Sequence, residues 1–231
     1  MFIRTKSYPD ISKKYNIPSL ILLAKRMLPD YVFNMSSLEN NPYTFPEVQT
    51  LMDGITVGGH KLSDQQQILD IKDSWSFLFD TIRKGKFSID KKMFNKLHSI
   101  VARNEALIVG DFRTGSVGIA GTNYVPPAPK ELNNIFDTEL ALIKERCKTA
   151  TELALEIFLF GALNQFYYDG NKRTSRLMSN GILISSGQGV LNIKAKDKLE
   201  FNSLMVEFYT DPNHNADNIC DFLYNNCISH F

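Results

Sequence analysis

One run constrains the rest of the chain. After Thr151, the residues Leu153, Leu155, Ile157, Phe158, Leu159 and Phe160 put apolar side chains on nearly every face of a helix. A helix of that kind has no face to offer water, so other elements must enclose it. The neighbouring sequence supplies them mostly as helices. Leu20, Leu23, Met27 and Leu28 fall at helical spacing, and Pro29 with Asp30 closes or interrupts that segment. Phe45, Val48, Leu51 and Met52 predict a short helix, with Thr44 as cap, Pro46 in the first turn and Glu47 three residues after the cap. Longer helices are predicted from Ser63 to Ile82, from Ser88 or Asp90 to about Asn104, and from Lys130 to Cys147. Three more follow the buried run: Lys172 to Ser186, Lys198 to Tyr209, and Ala216 onward. The fold class is therefore mainly α, a helical bundle. The β signal is confined to residues 108–127, where Gly alternates with β-formers as in a hairpin.

The composition fits one large ordered domain of 231 residues, with 43% hydrophobic and 22% charged residues. A net charge of +1 gives no bulk attraction to nucleic acid or to an anionic membrane, so an anion site would have to be local. Cys147, Cys220 and Cys227 are too few and too loosely spaced for a disulfide framework, and Cys220 with Cys227 reads as two small buried hydrophobes on one helix face. The first residues carry no apolar signal core, and no stretch reaches the length of a membrane span. Without a signal peptide the sequon at Asn34 has no weight. The expected location is the cytoplasm, with a secreted effector as the alternative.

The chemistry concentrates between Gln165 and Arg176. A buried helix ends, the chain turns through Gly170, and a new helix begins with free amides and the positive end of its dipole. Lys172, Arg173 and Arg176 add full charges, and Arg173 and Arg176 are neighbours on the helix surface. Such a helix start suits a polyphosphate, and Asp169 at its lip could hold Mg²⁺ against phosphate oxygens. Spacing alone leaves an ordinary solvated turn, with Lys and Arg coating a helix face, as the competing interpretation.

The segment from Gln165 to Arg176 resembles the signature of the Fic (Fido, cell filamentation) family, His-x-Phe-x-Asp/Glu-Gly-Asn-Gly/Lys-Arg-x-x-Arg. Tyr167 stands at its Phe and Asp169 at its acid, with Gly170, Asn171, Lys172, Arg173 and Arg176 in register. Arg113 to Pro129, with Gly121, Thr122, Tyr124 and Val125-Pro126-Pro127, is similar to the family's hairpin flap, which docks the target. Asn34 to Asn41 followed by Thr44 to Val48 resembles its inhibitory segment, with Glu39 at the key glutamate, and Gly54 to Gly59 also has a family look. The resemblance implies a Fic-type helical bundle with a flap over the site. Its divisions here would be a helical lead-in over residues 1–30, an inhibitory segment and loop over 31–60, and a core over 61–231 with the flap at about 108–127.

The resemblance also implies an activity, AMP transfer from Mg-ATP onto a Ser, Thr or Tyr hydroxyl of another protein. Asp169 would hold the metal, Gly170, Asn171, Lys172, Arg173 and Arg176 the phosphates, and Glu39 would restrain the site. A homodimer is a possible assembly. Two departures matter. Gln165 stands at the family's catalytic histidine and cannot accept a proton, which predicts a nucleotide-binding protein whose transfer is weak or lost. Met35 stands where the inhibitory segment usually has Ser or Thr. A transferase working through another base, and a non-catalytic protein-binding module, are the competing functions. Gly54 to Ser63 is only a near miss for a phosphate-binding Walker loop, and Phe201 and Tyr209 read as core before they read as a base-binding pocket.

Overall fold

A computed structural model describes residues 1–11 and 14–229. Ten α-helices are present among them. In the first third of the chain these are α1 (Ile17–Arg26), α2 (Leu28–Leu38), α3 (Phe45–Met52) and α4 (Leu62–Arg83). Next come α5 (Lys91–Val101), α6 (Leu132–Arg146), α7 (Ala150–Asn164) and α8 (Asn171–Ser185), then α9 (Lys198–Thr210) and α10 (Asp217–Phe222). The expected bundle is found, and α7 is its centre: from Ile157 to Leu163 every residue is buried. Its two acids are buried too, and both are paired. Glu156 takes Arg4 Nε at 2.7 Å and Arg146 Nε at 2.6 Å, and Glu152 takes Arg4 Nη1 at 3.2 Å.

Helix α8 lies against α7 so closely that a Cβ on Gly161 would sit 1.9 Å from Ser175 Oγ. A side chain at that position would push the motif helix off the core. Helices α4 and α5 flank α8, and α2 packs on α4 and α3. The capping box on α3 is as the sequence predicts: Glu47 accepts from the Thr44 amide at 2.7 Å, which holds its carboxyl down at about 2. The helical run is interrupted at Pro29, as the sequence predicts, and the proline is what starts the next helix, α2, which shares Met27 with α1 as a junction.

Two expectations are corrected. Within the lead-in over residues 1–30 the described helix starts at Ile17, and residues 1–11 strap across the bundle through Arg4 and Thr5, the latter bound to Asp217. The antiparallel two-stranded pair is not at 108–127. It joins Val190–Leu191 (β1) to Ile228–Ser229 (β2). Residues 108–127 run as turns and bends with no ladder among them. The reason is visible in Arg113, whose guanidinium collects the Gly115 and Pro127 carbonyls that a ladder would have used, while its own amide donates to Phe166 O at 2.9 Å. No helix among the described residues is long and apolar enough to cross a membrane.

Candidate nucleotide-phosphate site

The site is made by the turn between α7 and α8. Helix α7 ends because Gln165 takes a left-handed conformation (φ 47°), and the turn closes at Gly170 (φ 73°). At Gly170 a Cβ would also meet Ala102 Cβ at 2.7 Å, so the position is closed to other residues on two grounds. Asn171 braces the loop from inside. Its Oδ1 accepts from the Tyr167 amide at 2.9 Å, and its Nδ2 donates to Tyr167 O at 2.8 Å and to Gln165 Oε1 at 3.0 Å. Gln165 Nε2 donates to Ala162 O at 2.7 Å, so both ends of that amide are engaged in closing the helix.

Glu39, Gln165, Asp169, Lys172, Arg173 and Tyr209 line a cavity of about 270 Å³, with residues 118–120 of the flap on its rim. The flap therefore borders the site without being a hairpin. Gly121 (φ 79°) and Thr122 form its tip, where the Thr122 hydroxyl donates to Ile119 O at 3.0 Å. Tyr124 stacks near Tyr209, with ring centres 6.0 Å apart. Arg113, expected on a target-docking face, is buried instead. Its Nε donates to Gln165 O at 2.6 Å, so it pins the flap to the end of α7.

The two motif arginines have different fates. Arg173 is buried and saturated at its tips: Nη1 and Nη2 grip Glu105 at 2.8 and 2.7 Å, and Nη2 also reaches Asp169 Oδ1 at 3.0 Å. Burial works against its charge, but Glu39 and Glu105 outweigh that and raise its pKa. Arg176 is 2% exposed, and none of its three guanidinium nitrogens has a hydrogen-bond partner among the described residues. Its nearest cation-binding surface is the Phe201 ring, 5.9 Å away. Burial lowers its pKa to about 10, against the opposing fields of Glu39 and, more weakly, Cys227. Glu39, the cap of α2, makes no hydrogen bond or ion pair within 4.0 Å of Arg176 among the described residues, and its Oε1 is itself buried without a partner. Glu39 therefore acts on Arg176 through its field and not through a bonded latch. Met35 is buried in the core, so no hydroxyl supports Glu39 from that position.

Two residues the sequence did not single out hold the site. Glu105 fixes Arg173. His98, on the buried face of α5, stacks on Tyr167 (ring centres 3.7 Å apart) and donates from Nε2 to Asp169 O at 3.0 Å, while Nδ1 accepts from the Gly110 amide at 3.0 Å. A histidine among Met93, Phe94, Leu97 and Val101 was the available signal. It is no substitute base: both nitrogens are used, and burial holds its pKa down at about 4. His60 instead stacks on Tyr43 and meets Glu47 at 3.1 Å, His214 lies by Phe208, and His230 is outside the described residues.

Two expected results follow here. Arg173→Ala removes the partner that Glu105 and Asp169 share, and should lower stability by about 3 kcal/mol in urea unfolding. Unchanged stability would mean the fork is not formed in solution. For His98 the sign is set by the unfolded chain, which takes up a proton near pH 6.5 while the folded chain does not until about 4. Stability is lost as pH falls through that window and levels off below it. Between pH 7 and 4.5 wild type should lose about 2 kcal/mol more than His98→Gln. Equal losses would contradict a buried neutral imidazole.

Residues 88–183 match the Fic/DOC family. They form a Fic/DOC domain. Its turn from Asp169 to Arg176 and the supports from α5 all fall inside that match. The chain is 23% identical over 212 residues to the protein adenylyltransferase Fic of Nematostella vectensis, covering 87% of this chain and 48% of that one. It therefore spans about half the length of that relative. In fold it is similar to a Fic domain containing signalling protein from Bacteroides thetaiotaomicron, with a TM-score of 0.72, 18% identity, and coverage of 93% of this chain and 82% of that chain. It is also similar to Fic-1 from C. elegans, with a TM-score of 0.69, 16% identity, and coverage of 90% and 66%.

Proposed function

We propose that this Fic domain binds Mg-ATP at the α7–α8 turn and transfers AMP to a protein hydroxyl slowly, because Gln165 replaces the proton acceptor. One observation carries the proposal: Arg176 is a fully buried cation with three unpaired nitrogens. A charge in that state is costly unless an anion is meant to meet it. The name of the Nematostella relative, a protein adenylyltransferase, supports a nucleotide as that anion.

The roles divide by what each residue has free. Lys172 and the first amides of α8 would take the inner phosphates. Arg176 would take the terminal one. Arg173 and Asn171 are engaged in holding the turn and would act by shaping it. Among the described residues no three His, Cys, Asp or Glu stand together for a metal. Asp169 has one oxygen bound to Arg173 and Gly170, and its half-exposed side chain lines the cavity, which fits Mg²⁺ held by one carboxylate and the phosphates. When bound, Mg²⁺ would offset phosphate charge. In the transfer, a target hydroxyl oxygen bonds to the α-phosphorus, pyrophosphate leaves, and the hydroxyl proton must find an acceptor. Gln165 provides none.

Glu39 competes for Arg176 by charge, so its effect should depend on the terminal phosphate. Calorimetry of Glu39→Gly should show Mg-ATP bound roughly 10-fold more tightly and Mg-ADP little changed, about 1.4 kcal/mol of difference. Absence of heat at millimolar Mg-ATP in that variant would end the nucleotide proposal. Equal changes for the two nucleotides would remove Glu39 from the terminal-phosphate position.

A further inference from the structure

A second recess shares no lining residue with the phosphate site. It is a trough of about 830 Å³ between the C-terminal end of α1, the second half of α4 and the start of α5. Leu28, Phe77, Phe79 and Met93 make its apolar surface, with Leu28 and Phe77 only partly covered. Five lysines line it; Lys84 is paired with Asp80, and the other four stand on three different pieces of chain: Lys25 on α1, Lys86 in the loop after α4, and Lys92 with Lys96 on one face of α5. None of the four has an ion pair within 4.0 Å among the described residues, although Lys96 lies 5.6 Å from the centre of the Phe77 ring. The carboxylate at the trough, Asp80, is already taken by Arg83 at 2.8 Å and Lys84 at 3.6 Å. In a chain whose net charge is +1, this is a local concentration of unpaired positive charge around an apolar floor.

We propose that the trough is a docking site for an acidic peptide segment with a bulky apolar side chain at its centre. Charge complementarity selects the occupant. The lysines lie on separate elements around the trough, so they answer carboxylates spread along a chain. An amphiphile with one head group would meet them at one end only. The apolar floor takes an anchoring side chain out of water, and the rim charges orient the segment over it. The site is independent of the nucleotide proposal, and its test uses no nucleotide.

The probe is a series of short fluorescein-labelled peptides with Asp and Glu flanking a central Phe, Leu, Trp or Met. Fluorescence anisotropy with the whole protein should show saturable binding for at least one member, weakening as salt is raised. The double reversal Lys92→Glu/Lys96→Glu should weaken it by roughly 10-fold or more, as should replacing the peptide's central residue by Ala. These lysines are exposed, so the reversed variant should keep the wild-type thermal midpoint, which shows that it folds. The Met93 methyl resonance should shift with the peptide. Absence of saturable binding across the series, affinity indifferent to the charge reversal, or a Met93 shift with dodecyl phosphate below its micelle concentration but with no peptide would each overturn the proposal.

Discussion

Arg176→Met should stabilise the ligand-free protein and at the same time remove its hold on ATP. The guanidinium is buried with no hydrogen-bond partner among the described residues, in the field of Glu39 and 5.9 Å from the Phe201 ring centre. Replacing an uncompensated buried charge by an apolar side chain of similar length typically gains about 1–3 kcal/mol. The same change deletes charge-assisted hydrogen bonds to a terminal phosphate, a loss of roughly 10² in affinity. Thermal unfolding without nucleotide and calorimetry with Mg-ATP in the Glu39→Gly background read the two effects separately. Opposite signs are the signature of a residue kept for a ligand. A variant that unfolds more easily than wild type would show that the guanidinium has a protein partner in solution, and the anion-seat argument would fail with it. Arg173→Ala is the contrast: three residues away on the same helix, it should destabilise, because its tips already have Glu105 and Asp169.

That contrast marks where sequence stops being informative. Helix α7 was legible because apolar residues on nearly all faces permit only burial, and α3 because Thr44 and Glu47 make a local capping pair. The turn between α7 and α8 was legible from Gly170 between two helical runs, while its reading as a phosphate site came from the resemblance and not from spacing. Which arginine is free was not legible, since it depends on Glu105, 68 residues from Arg173 in the chain. His98 is likewise 71 residues from the Asp169 carbonyl it holds. The flap misled for a different reason. Gly and β-branched residues between 108 and 127 suit a hairpin, but they suit an irregular loop equally when one buried guanidinium satisfies its carbonyls. Side-chain caps on distant backbone leave no periodic trace.

Gln165→His together with Glu39→Gly should raise AMP transfer by about 10² or more over wild type, the usual contribution of a general base. The remaining features favour this. Asp169, Lys172 and the start of α8 border one cavity with residue 165, and Arg176 follows within one turn. Residue 165 is also fixed in place, by Arg113 on its carbonyl and by its left-handed cap geometry. Glutamine spends its amide on Ala162 O and Asn171. Imidazole has a single acceptor nitrogen when neutral, so Asn171 Nδ2 would lose one of its two acceptors and keep Tyr167 O. The turn should therefore survive the exchange, and the double variant should unfold within about 1 kcal/mol of Glu39→Gly alone. Orientation and charge stabilisation without a base still leave residual catalysis, so wild type should be slow and not silent. Intact-mass detection of a single adenylyl adduct, on the protein itself or on a target, measures both rates. If wild type is already as fast as the double variant, the proton leaves by a route that does not pass through residue 165, and Gln165 is not what limits this enzyme.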